Sequence, residues 1–433
     1  MKRRKFFKVA GLSLGSLSLV GIGAFYVAKP KGKSSSYSPT FQILNENLKN
    51  YSRAIPELII DLDVVDKNIE ALNNLIPQNC KYRIVVKSLP SVELVKYVMD
   101  KAQTKNLMLF HQPFLSHLSE IADDQVDILM GKPMPVKTAE YYYKNLVVSN
   151  GFDPSKQLQW LVDSNQRIHE YIQLAKDNNL KLQLNIEIDV GLHRGGYADV
   201  TALKSALQLI EANSDYVTFS GFMGYDPHVV KIPKMIMSAD EAFEKVKSYY
   251  NACIELLKTD FPSMYHDELT FNGAGSPTLA YHAKGDSPCN DLAAGSCLVK
   301  PTDFDIESLE QFAPACYIAT PILKKYENTQ LPGGEKMTGI LNLWDKNMEN
   351  SYFIYGGSWM ADYHEPPGIK PNKVFGKSTN QVMINASDES NLDVGDFVFL
   401  RPHQSEFVFL QFGNVLTMRN LLIKEEWNCI RNV

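Results

Sequence analysis

The chain has 433 residues, of which 45% are hydrophobic and 21% charged, a balance that is ordinary for a globular protein of about two or three domains. Its formal net charge of −5 argues against a nucleic-acid partner. The six cysteines are widely scattered, without a C-x-x-C pair or a zinc-finger spacing, so we expect buried thiols rather than a disulfide framework.

Residues 1–30 predict a signal or anchor segment that is not part of the fold. Arg3 and Arg4 open a basic cluster, which runs into an apolar stretch diluted by glycine and serine. The paired arginines and the Lys-Phe-Phe-Lys run after them resemble a twin-arginine signal, and the alternative is an ordinary signal anchor with incidental arginines. We therefore expect the twin-arginine export machinery as a partner, and a protein that is periplasmic or anchored to the outer face of the cytoplasmic membrane. Residues 31–54 predict a linker.

From residue 55 onward, strand and helix patterns alternate. After a first strand, ELIIDLD (57–63), eight further strand candidates follow at intervals typical of βα units. They are YRIVVK (82–87), LMLFHQ (107–112), VDILMG (126–131), QWLVDS (159–164), LQLNIEIDV (182–190), VTFSGFMGYD (217–226), ELTFNGAG (268–275) and DLAAGSCLV (291–299). Apolar strands separated by amphipathic helices predict a parallel sheet covered on both faces, and eight of them favour a closed (β/α)8 barrel over 55–311. The alternative is an open doubly wound sheet.

Residues 312–433 have a different pattern. Strand-like runs follow each other with turn signals such as LPGGE and DVGD and with little helix. This pattern predicts a second, mostly antiparallel β domain, and we expect the strand at 57–63 to join it. The predicted fold class is therefore α/β, a barrel followed by a β domain.

In a barrel of this kind the catalytic groups lie on the loops that follow the strands. Lys87 ends the first barrel strand, just before a serine and a proline, where its amine can act as a nucleophile. The alternative is a lysine that leaves the sheet for solvent. Arg194 follows the fifth strand among glycines, and Tyr225 follows the sixth.

The loop after the seventh barrel strand, NGAGSPT (272–278), predicts a phosphate site. Its glycines allow the backbone to approach a ligand closely, and Ser276 begins a predicted helix whose N–H groups suit a phosphate dianion. A lysine, an arginine, a tyrosine and this loop on one barrel rim are suited to pyridoxal 5'-phosphate.

The sequence also resembles a known family, the barrel-fold pyridoxal-phosphate enzymes of the alanine racemase type, and within it the D-threonine aldolase and D-serine dehydratase branch. The resemblance covers roughly residues 55 to 433. The segments that carry it are PELIIDLDVVDKNIEAL, YRIVVKS, DVGLHRGGY, FMGYDPH, NGAGSPT and DLAAGSCLVKPTDFD. It implies that Lys87 carries the cofactor as a Schiff base, that Arg194 contacts the ring oxygen and that Tyr225 flanks the ring. It implies a phosphate site formed by Gly273, Ala274, Gly275 and Ser276.

The chain departs from the branch at the segment RPHQSEFVFLQFG. There the branch carries a metal pair, His-x-Cys or His-x-Asp, whereas this chain has His403 followed by Ser405, which is a poor ligand for zinc or manganese. On a strand the adjacent Glu406 would face the other way. We therefore expect no bound metal and treat His403 as a catalytic acid–base candidate, with a purely structural histidine as the alternative. Tyr363 and His364 are the other candidates for a group that reaches over the cofactor.

The resemblance implies a pyridoxal-phosphate-dependent lyase, an aldolase or a dehydratase, that acts on a small, 3-hydroxylated D-amino acid through a Lys87 aldimine. The alternatives are a pyridoxal-phosphate-dependent amino-acid racemase and, from another class, a non-catalytic pyridoxal-phosphate-binding protein. Binding-only relatives usually lack a C-terminal domain like residues 312–433. A metal-dependent barrel hydrolase is disfavoured because no His-x-His follows a strand. We expect a homodimer.

Overall fold

The computed structural model describes residues 30, 32–51, 53–330, 332–335, 338–373 and 375–430. The predicted export segment, with Arg3 and Arg4, lies outside the described residues. Within those ranges, no helix has both the length and the hydropathy needed to cross a membrane. None of the six cysteines, all of which are described, forms a disulfide.

The described chain forms two compact units. The barrel unit contains 62–315, together with 404–415 and the residues from 426 onward. The β unit contains the residues up to Asp61, together with 316–403 and 416–425.

The β unit begins with helix α1 (Pro39–Tyr51) and strand β1 (Glu57–Asp61). The linker predicted for residues 31–54 is wrong over this helix. Phe41, Leu44 and Leu48 recur at the three- and four-residue spacing of one helix face, and all three are buried in the core of the β unit. Burial of each such side chain contributes about 1.5–3 kcal/mol towards ordering the segment.

Eight parallel strands close the barrel in sequence order, as predicted. They are β2 (Lys81–Val85), β3 (Asn106–Leu109), β4 (Asp127–Met130), β5 (Leu158–Val162), β6 (Leu182–Glu187), β7 (Val217–Met223), β8 (Thr270–Gly273) and β9 (Asp291–Ala294). The last strand pairs with the first, with Lys81 opposite Asp291, so the open doubly wound alternative is wrong.

The helices of the barrel unit follow the predicted alternation with strands. They are α2 (Leu62–Leu75), α3 (Val92–Ala102), α4 (Gln112–Ile121), α5 (Val136–Lys144), α6 (Pro154–Gln157), α7 (Asn165–Asn178), α8 (Val200–Glu211), α9 (Ala239–Asp260) and α10 (Leu279–His282). Ser91, Ser164 and Asp199 each cap a helix by accepting a backbone N–H at its first turn. Because every strand runs in the same direction, the loops from strand to helix meet at one rim.

An arginine lies inside the barrel. Arg83 in β2 is 1% exposed, and its guanidinium contacts Asp291 at 2.8 Å and Asp127 at 2.6 Å. The two carboxylates compensate the buried cation, which would be strongly destabilising if it were unpaired.

The strands after the barrel are β10 (Cys316–Glu327), β11 (Asn350–Tyr355), β12 (Ala361–Glu365), β13 (Lys370–Pro371), β14 (Gln381–Ala386), β15 (Phe397–Pro402), β16 (Asn414–Arg419) and β17 (Leu422–Asn428). The β unit is built on one nine-stranded sheet with the order β13-β14-β11-β10-β1-β16-β17, in which β15 pairs with β10 and β12. Two further helices are α11 (Thr338–Trp344) and α12 (Ser405–Phe409), of which α12 belongs to the barrel unit. Strand β1 is antiparallel to β10 and parallel to β16. The mostly antiparallel β domain is thus confirmed.

Candidate active site

Lys87 lies in a single 3-10 turn, residues 86–88, directly after β2. Its side chain is 34% exposed, and its Nζ lies 4.6 Å from the centre of the Phe110 ring and 3.3 Å from Oε2 of Glu406. The amine is therefore held between an aromatic face and a carboxylate, rather than extended into solvent.

Gly131, after β4, makes room for the Phe110 ring. A Cβ atom at this position would lie 2.4 Å from Cζ of Phe110, which is closer than real Cβ atoms approach a neighbour. Any larger residue at 131 would displace this ring, which packs against the Lys87 amine.

The loop over 189–197 that carries Arg194 is closed by Asp189. The Asp189 carboxylate accepts the backbone N–H groups of Gly191 and His193 at 3.0 and 2.9 Å. At the other end of the loop, Gly196 has a φ of +90°, and a Cβ there would lie 2.6 Å from the carbonyl oxygen of Glu187. The spacing of aspartate, glycine and arginine in this motif is therefore explained by the turn that orients Arg194.

Tyr225 follows β7 and contacts two of the predicted site residues. The Arg194 guanidinium carbon lies 4.8 Å from the centre of the Tyr225 ring, within cation–π distance. A Cβ on Gly275 would lie 2.7 Å from Cε2 of the same ring. Burial raises the pKa of the Tyr225 hydroxyl, and the charge of Arg194 opposes this shift. The structure thus brings Arg194, Tyr225 and Gly275 together.

The loop after β8 differs from the sequence prediction in where the helix begins. Ser276 lies in a turn, and α10 starts only at Leu279 and has four residues, so a long helix dipole does not support this loop. Ala274 has a left-handed φ of +67°. The Ser276 hydroxyl accepts the backbone N–H groups of Gly295 and Cys297 at 3.3 and 3.1 Å, which ties this loop to the one that follows β9.

A cavity of about 140 Å³ opens at this rim of the barrel, and we call it the inner cavity. Gly273 is not among its lining residues, because it packs against Cys289: a Cβ on Gly273 would lie 2.5 Å from Sγ of Cys289. The predicted residues that line the inner cavity are Lys87, Arg194, Tyr225, Ala274, Gly275 and Ser276.

These residues fit pyridoxal 5'-phosphate. The inner cavity has an amine at Lys87 and, on another wall, a loop whose Gly275 leaves no room for a side chain beside Tyr225. Arg194 and the ring of Tyr225 line it as well, and each is a suitable neighbour for an anionic aromatic ring. The donor set and the close backbone approach match what a phosphorylated pyridine aldehyde needs.

A larger cavity of about 490 Å³, the outer cavity, shares Lys87, Phe110, Gly131 and Arg194 with the inner one. It adds three carboxylates, namely Asp163 and Glu187, which the sequence patterns do not single out, and Glu406, which they place on the opposite face of a strand. Burial raises the pKa of Glu187 to about 7, Arg194 opposes this shift, and Asp163 adds to it. Glu187 is the last residue of β6, and a carboxylate where a barrel strand ends is the signal that marks it.

The segment around His403 corrects one expectation. Strand β15 ends at Pro402 and helix α12 begins at Ser405, so the alternation rule that turned Glu406 away from the site does not apply. Glu406 instead contacts Lys87. Ser405 is 2% exposed, and Nε2 of His403 lies 3.1 Å from Oδ1 of Asp362. Over the part of the chain that the structure describes, no group of three or more His, Cys, Asp or Glu side chains is arranged to hold a metal ion.

Three predicted candidates, His403, Tyr363 and His364, belong to the β unit. His364 stacks on Tyr317 with the ring centres 5.5 Å apart and meets Phe41 edge to face, so it takes part in the aromatic core of that unit. The catalytic role of His403 stays a prediction.

The fold is similar to those of several solved pyridoxal-phosphate enzymes. D-threonine aldolase from Filomicrobium marinum is 15% identical, with a TM-score of 0.65 over 87% of this chain and 97% of that one. D-threo-3-hydroxyaspartate dehydratase from Delftia sp. HT23 is 14% identical, with a TM-score of 0.65 over 89% of this chain and 100% of that one. Alanine racemase from Clostridium difficile 630 is 16% identical, with a TM-score of 0.64 over 86% and 97%. At these identities the likeness establishes the fold.

No curated protein gives a match to the chain. The model of the alanine racemase N-terminal domain matches residues 60–300, which is more than half of the sequence. This range contains the barrel strands and every residue that lines the inner cavity except Phe304. The chain therefore belongs to the alanine racemase N-terminal domain family of pyridoxal-phosphate-dependent enzymes.

Proposed function

We propose that the protein is a pyridoxal-phosphate-dependent lyase that acts on a small, 3-hydroxylated D-amino acid, as an aldolase or a dehydratase. The motifs DVGLHRGGY and NGAGSPT support this branch of the family, as do the folds of the D-threonine aldolase and the D-threo-3-hydroxyaspartate dehydratase. We also propose that two copies form a homodimer.

One observation carries the proposal. The Lys87 amine lines a cavity together with Arg194, Tyr225 and the Gly275–Ser276 loop, and the same amine also lines the outer cavity. A cofactor seated in the inner cavity would therefore have its reactive end at the boundary with a second, polar space. That space is large enough for a small amino acid.

Each residue has a distinct role in the proposal. The Lys87 amine would hold the cofactor and move a proton at Nζ, and the loop that contains Gly275 would bind the phosphate. Arg194 would orient the ring from the face of Tyr225. When bound, pyridoxal phosphate withdraws electrons from the amino acid's Cα, so that a bond at that carbon breaks more easily.

The test starts from the purified protein. It should have a visible absorption band that borohydride removes, and peptide mapping should then find the pyridoxyl group on Lys87. Lys87→Ala should abolish the band, whereas Lys81→Ala, at an exposed lysine at the start of β2, should retain it. A pyridoxyl group on any other lysine would contradict the assignment.

A screen of D- and L-amino acids then identifies the reaction. We expect aldehyde or keto acid from a 3-hydroxylated D-amino acid. Inversion of configuration without bond cleavage at Cβ would identify a racemase. A protein that binds the cofactor on Lys87 but transforms no amino acid would be a binding protein.

A further inference from the structure

Glu406 reaches the Lys87 amine from a helix that lies far from it in the sequence. Its Oε2 is 3.3 Å from Nζ of Lys87, and helix α12, on which it lies, is fixed at both ends. At the first end the Gln404 amide donates to Asp303 at 3.1 Å, and at the other the Cys429 thiol donates to the carbonyl of Phe409 at 3.3 Å. The carboxylate is thus held at the amine by the fold.

The other two carboxylates of the outer cavity are placed differently. Asp163 lies 3.9 Å from Nε of Arg167, and Glu187 is buried beside Gly195. Among the described residues, Glu406 is the carboxylate within ion-pair distance of Lys87, and 36% of its side chain is exposed. It therefore faces both the amine and the space that a substrate would enter.

The charge of Glu406 also acts on other groups around this space. Burial lowers the pKa of His111, the charge of Lys132 lowers it further, and Glu406 opposes both effects. Burial raises the pKa of Tyr225, and Glu406 adds to that shift. The carboxylate therefore acts electrostatically on Tyr225, which lines the inner cavity, and on His111, which lines the outer one.

We propose that Glu406 is the acid–base residue for the 3-hydroxyl group of the substrate and returns the proton to Lys87, which makes the reaction a retro-aldol cleavage. The inference rests on the proposed function. A substrate amine bound where the Lys87 amine now lies carries its α and β substituents within reach of a carboxylate 3.3 Å away. The contact with Lys87 puts a carboxylate oxygen at this point, and a carboxylate can take the proton of a hydroxyl group, whereas loss of hydroxide needs an acid that gives a proton.

The proton balance closes on these two residues. Glu406 takes the hydroxyl proton as the Cα–Cβ bond breaks, and the C=O bond of the departing aldehyde forms. The electron pair of the broken bond stays at Cα, which takes a proton from the Lys87 ammonium. Glu406 then gives its proton to the Lys87 amine across the observed contact. The net change is one 3-hydroxy amino acid to glycine and one aldehyde.

The first test uses the protein without its cofactor. Glu406 holds Nζ of Lys87 in an ion pair at 3.3 Å, and an electrophile has to break this contact before it reaches the amine. Glu406→Gln should therefore speed labelling of Lys87 by trinitrobenzenesulfonate about two- to fivefold at a fixed, mildly alkaline pH, as expected for loss of a partly exposed ion pair. The matched control is Glu120→Gln, at an exposed glutamate of α4 that lines neither cavity, which should leave the rate unchanged.

The second test separates proton transfer at the 3-hydroxyl group from proton transfer at Cα. Glu406→Gln should lower aldehyde release from the best 3-hydroxy amino acid of a panel at least about 100-fold, the range of general acid–base catalysis. Exchange of the α-hydrogen of glycine with deuterated water needs no hydroxyl proton, so it should fall far less. Glu406→Asp should recover part of the cleavage.

Several outcomes overturn the inference. An equal fall in cleavage and exchange would make Glu406 a general structural support. If the 3-hydroxy amino acid gave a keto acid and no aldehyde, Glu406 would give a proton to the hydroxyl group instead of taking one from it. If the wild type exchanged the α-hydrogen of glycine but cleaved no 3-hydroxy amino acid, Glu406 would have no substrate hydroxyl group to act on. Absence of a pyridoxyl group on Lys87 would instead contradict the proposed function, and the labelling test would still decide whether Glu406 pairs with the Lys87 amine.

Discussion

Asp226 and His282 form a buried pair behind the candidate cofactor site, with Oδ2 of the aspartate 2.7 Å from Nε2 of the histidine. The Thr278 hydroxyl donates to the other carboxylate oxygen at 2.7 Å. Asp226 follows Tyr225 directly, and Thr278 and His282 follow the loop after β8. The pair therefore ties the residue that stacks on Arg194 to the predicted phosphate loop.

This pair predicts a pH dependence of stability. Burial alone would lower the pKa of His282, but the charge and hydrogen bond of Asp226 outweigh it and raise the pKa from 6.5 to about 10. The folded state therefore holds a proton that the unfolded state releases. The stabilisation is complete below the unfolded pKa and falls by up to about 1.4 kcal/mol per pH unit as the pH rises towards the folded pKa.

His282→Gln should therefore unfold more easily near neutral pH and lose less stability than the wild type between about pH 7 and about pH 9. Denaturant unfolding at several pH values measures both slopes. Parallel slopes for the two proteins would mean that the histidine is not charged in the folded state.

Glu187 predicts a pH effect through a carboxyl group. Burial raises its pKa from 4.5 to about 7, although Arg194 opposes the shift, so the folded state holds the proton more tightly than the unfolded chain. This contribution to stability is lost as the pH rises from 4.5 to about 7, and above that pH the ionised carboxylate destabilises the folded state. Glu187→Gln should be more stable than the wild type at about pH 8, by at most about 3 kcal/mol, and the gain should shrink towards about pH 5. A pH-independent difference in unfolding free energy would contradict this.

The contact between Gly275 and Tyr225 predicts a steric effect on cofactor binding. Even one methyl group at 275 would lie 2.7 Å from the tyrosine ring, so Gly275→Ala should displace the ring and weaken the binding of both pyridoxal phosphate and unphosphorylated pyridoxal. Gly339→Ala is the matched control. The added methyl group lies on a helix and meets no atom within 4 Å apart from the backbone of that helix. If only the binding of pyridoxal phosphate fell, the substitution would act on the phosphate directly and not through the Tyr225 ring.

The barrel could be predicted from the sequence because its strands are largely buried and several of them, such as LMLF and LQWLV, read as mostly apolar runs at regular intervals. The motif around Arg194 could be predicted because its turn needs an aspartate and glycines at fixed spacing. The role of Glu406 could not, because α12 has only five residues with the apolar, aromatic composition of a strand. Its contact with Lys87 joins distant segments, which no local periodicity encodes.

Helix α1 was missed for a different reason. Its buried residues Phe41, Leu44 and Leu48 stand among polar ones, and the helix follows a serine-rich run that is typical of a linker. Its first residue, Pro39, was the available signal, because proline is favoured in the first turn of a helix.

Export is proposed from the sequence alone. Changing Arg3 and Arg4 together to lysine should keep the protein in the cytoplasm if the twin-arginine machinery carries it, because that route depends on the arginine pair. Cell fractionation of the wild type and the double variant measures this. Continued appearance outside the cytoplasm would indicate the general secretory route or a plain membrane anchor.

The last prediction concerns the metal. Ser405 stands where the resemblance to the aldolase and dehydratase branch implies a thiol or carboxylate ligand, its side chain is buried, and the Nε2 of His403 contacts Asp362 at 3.1 Å. A chelator should therefore leave aldehyde release unchanged, and metal analysis of the active protein should find no stoichiometric zinc or manganese. Under this prediction the hydroxyl proton is handled by a carboxylate, so Glu406→Gln should be far more damaging than chelation. A wild-type enzyme that is inactivated by chelator and rescued by zinc or manganese would contradict this, and would assign the hydroxyl group to a metal ion instead of Glu406.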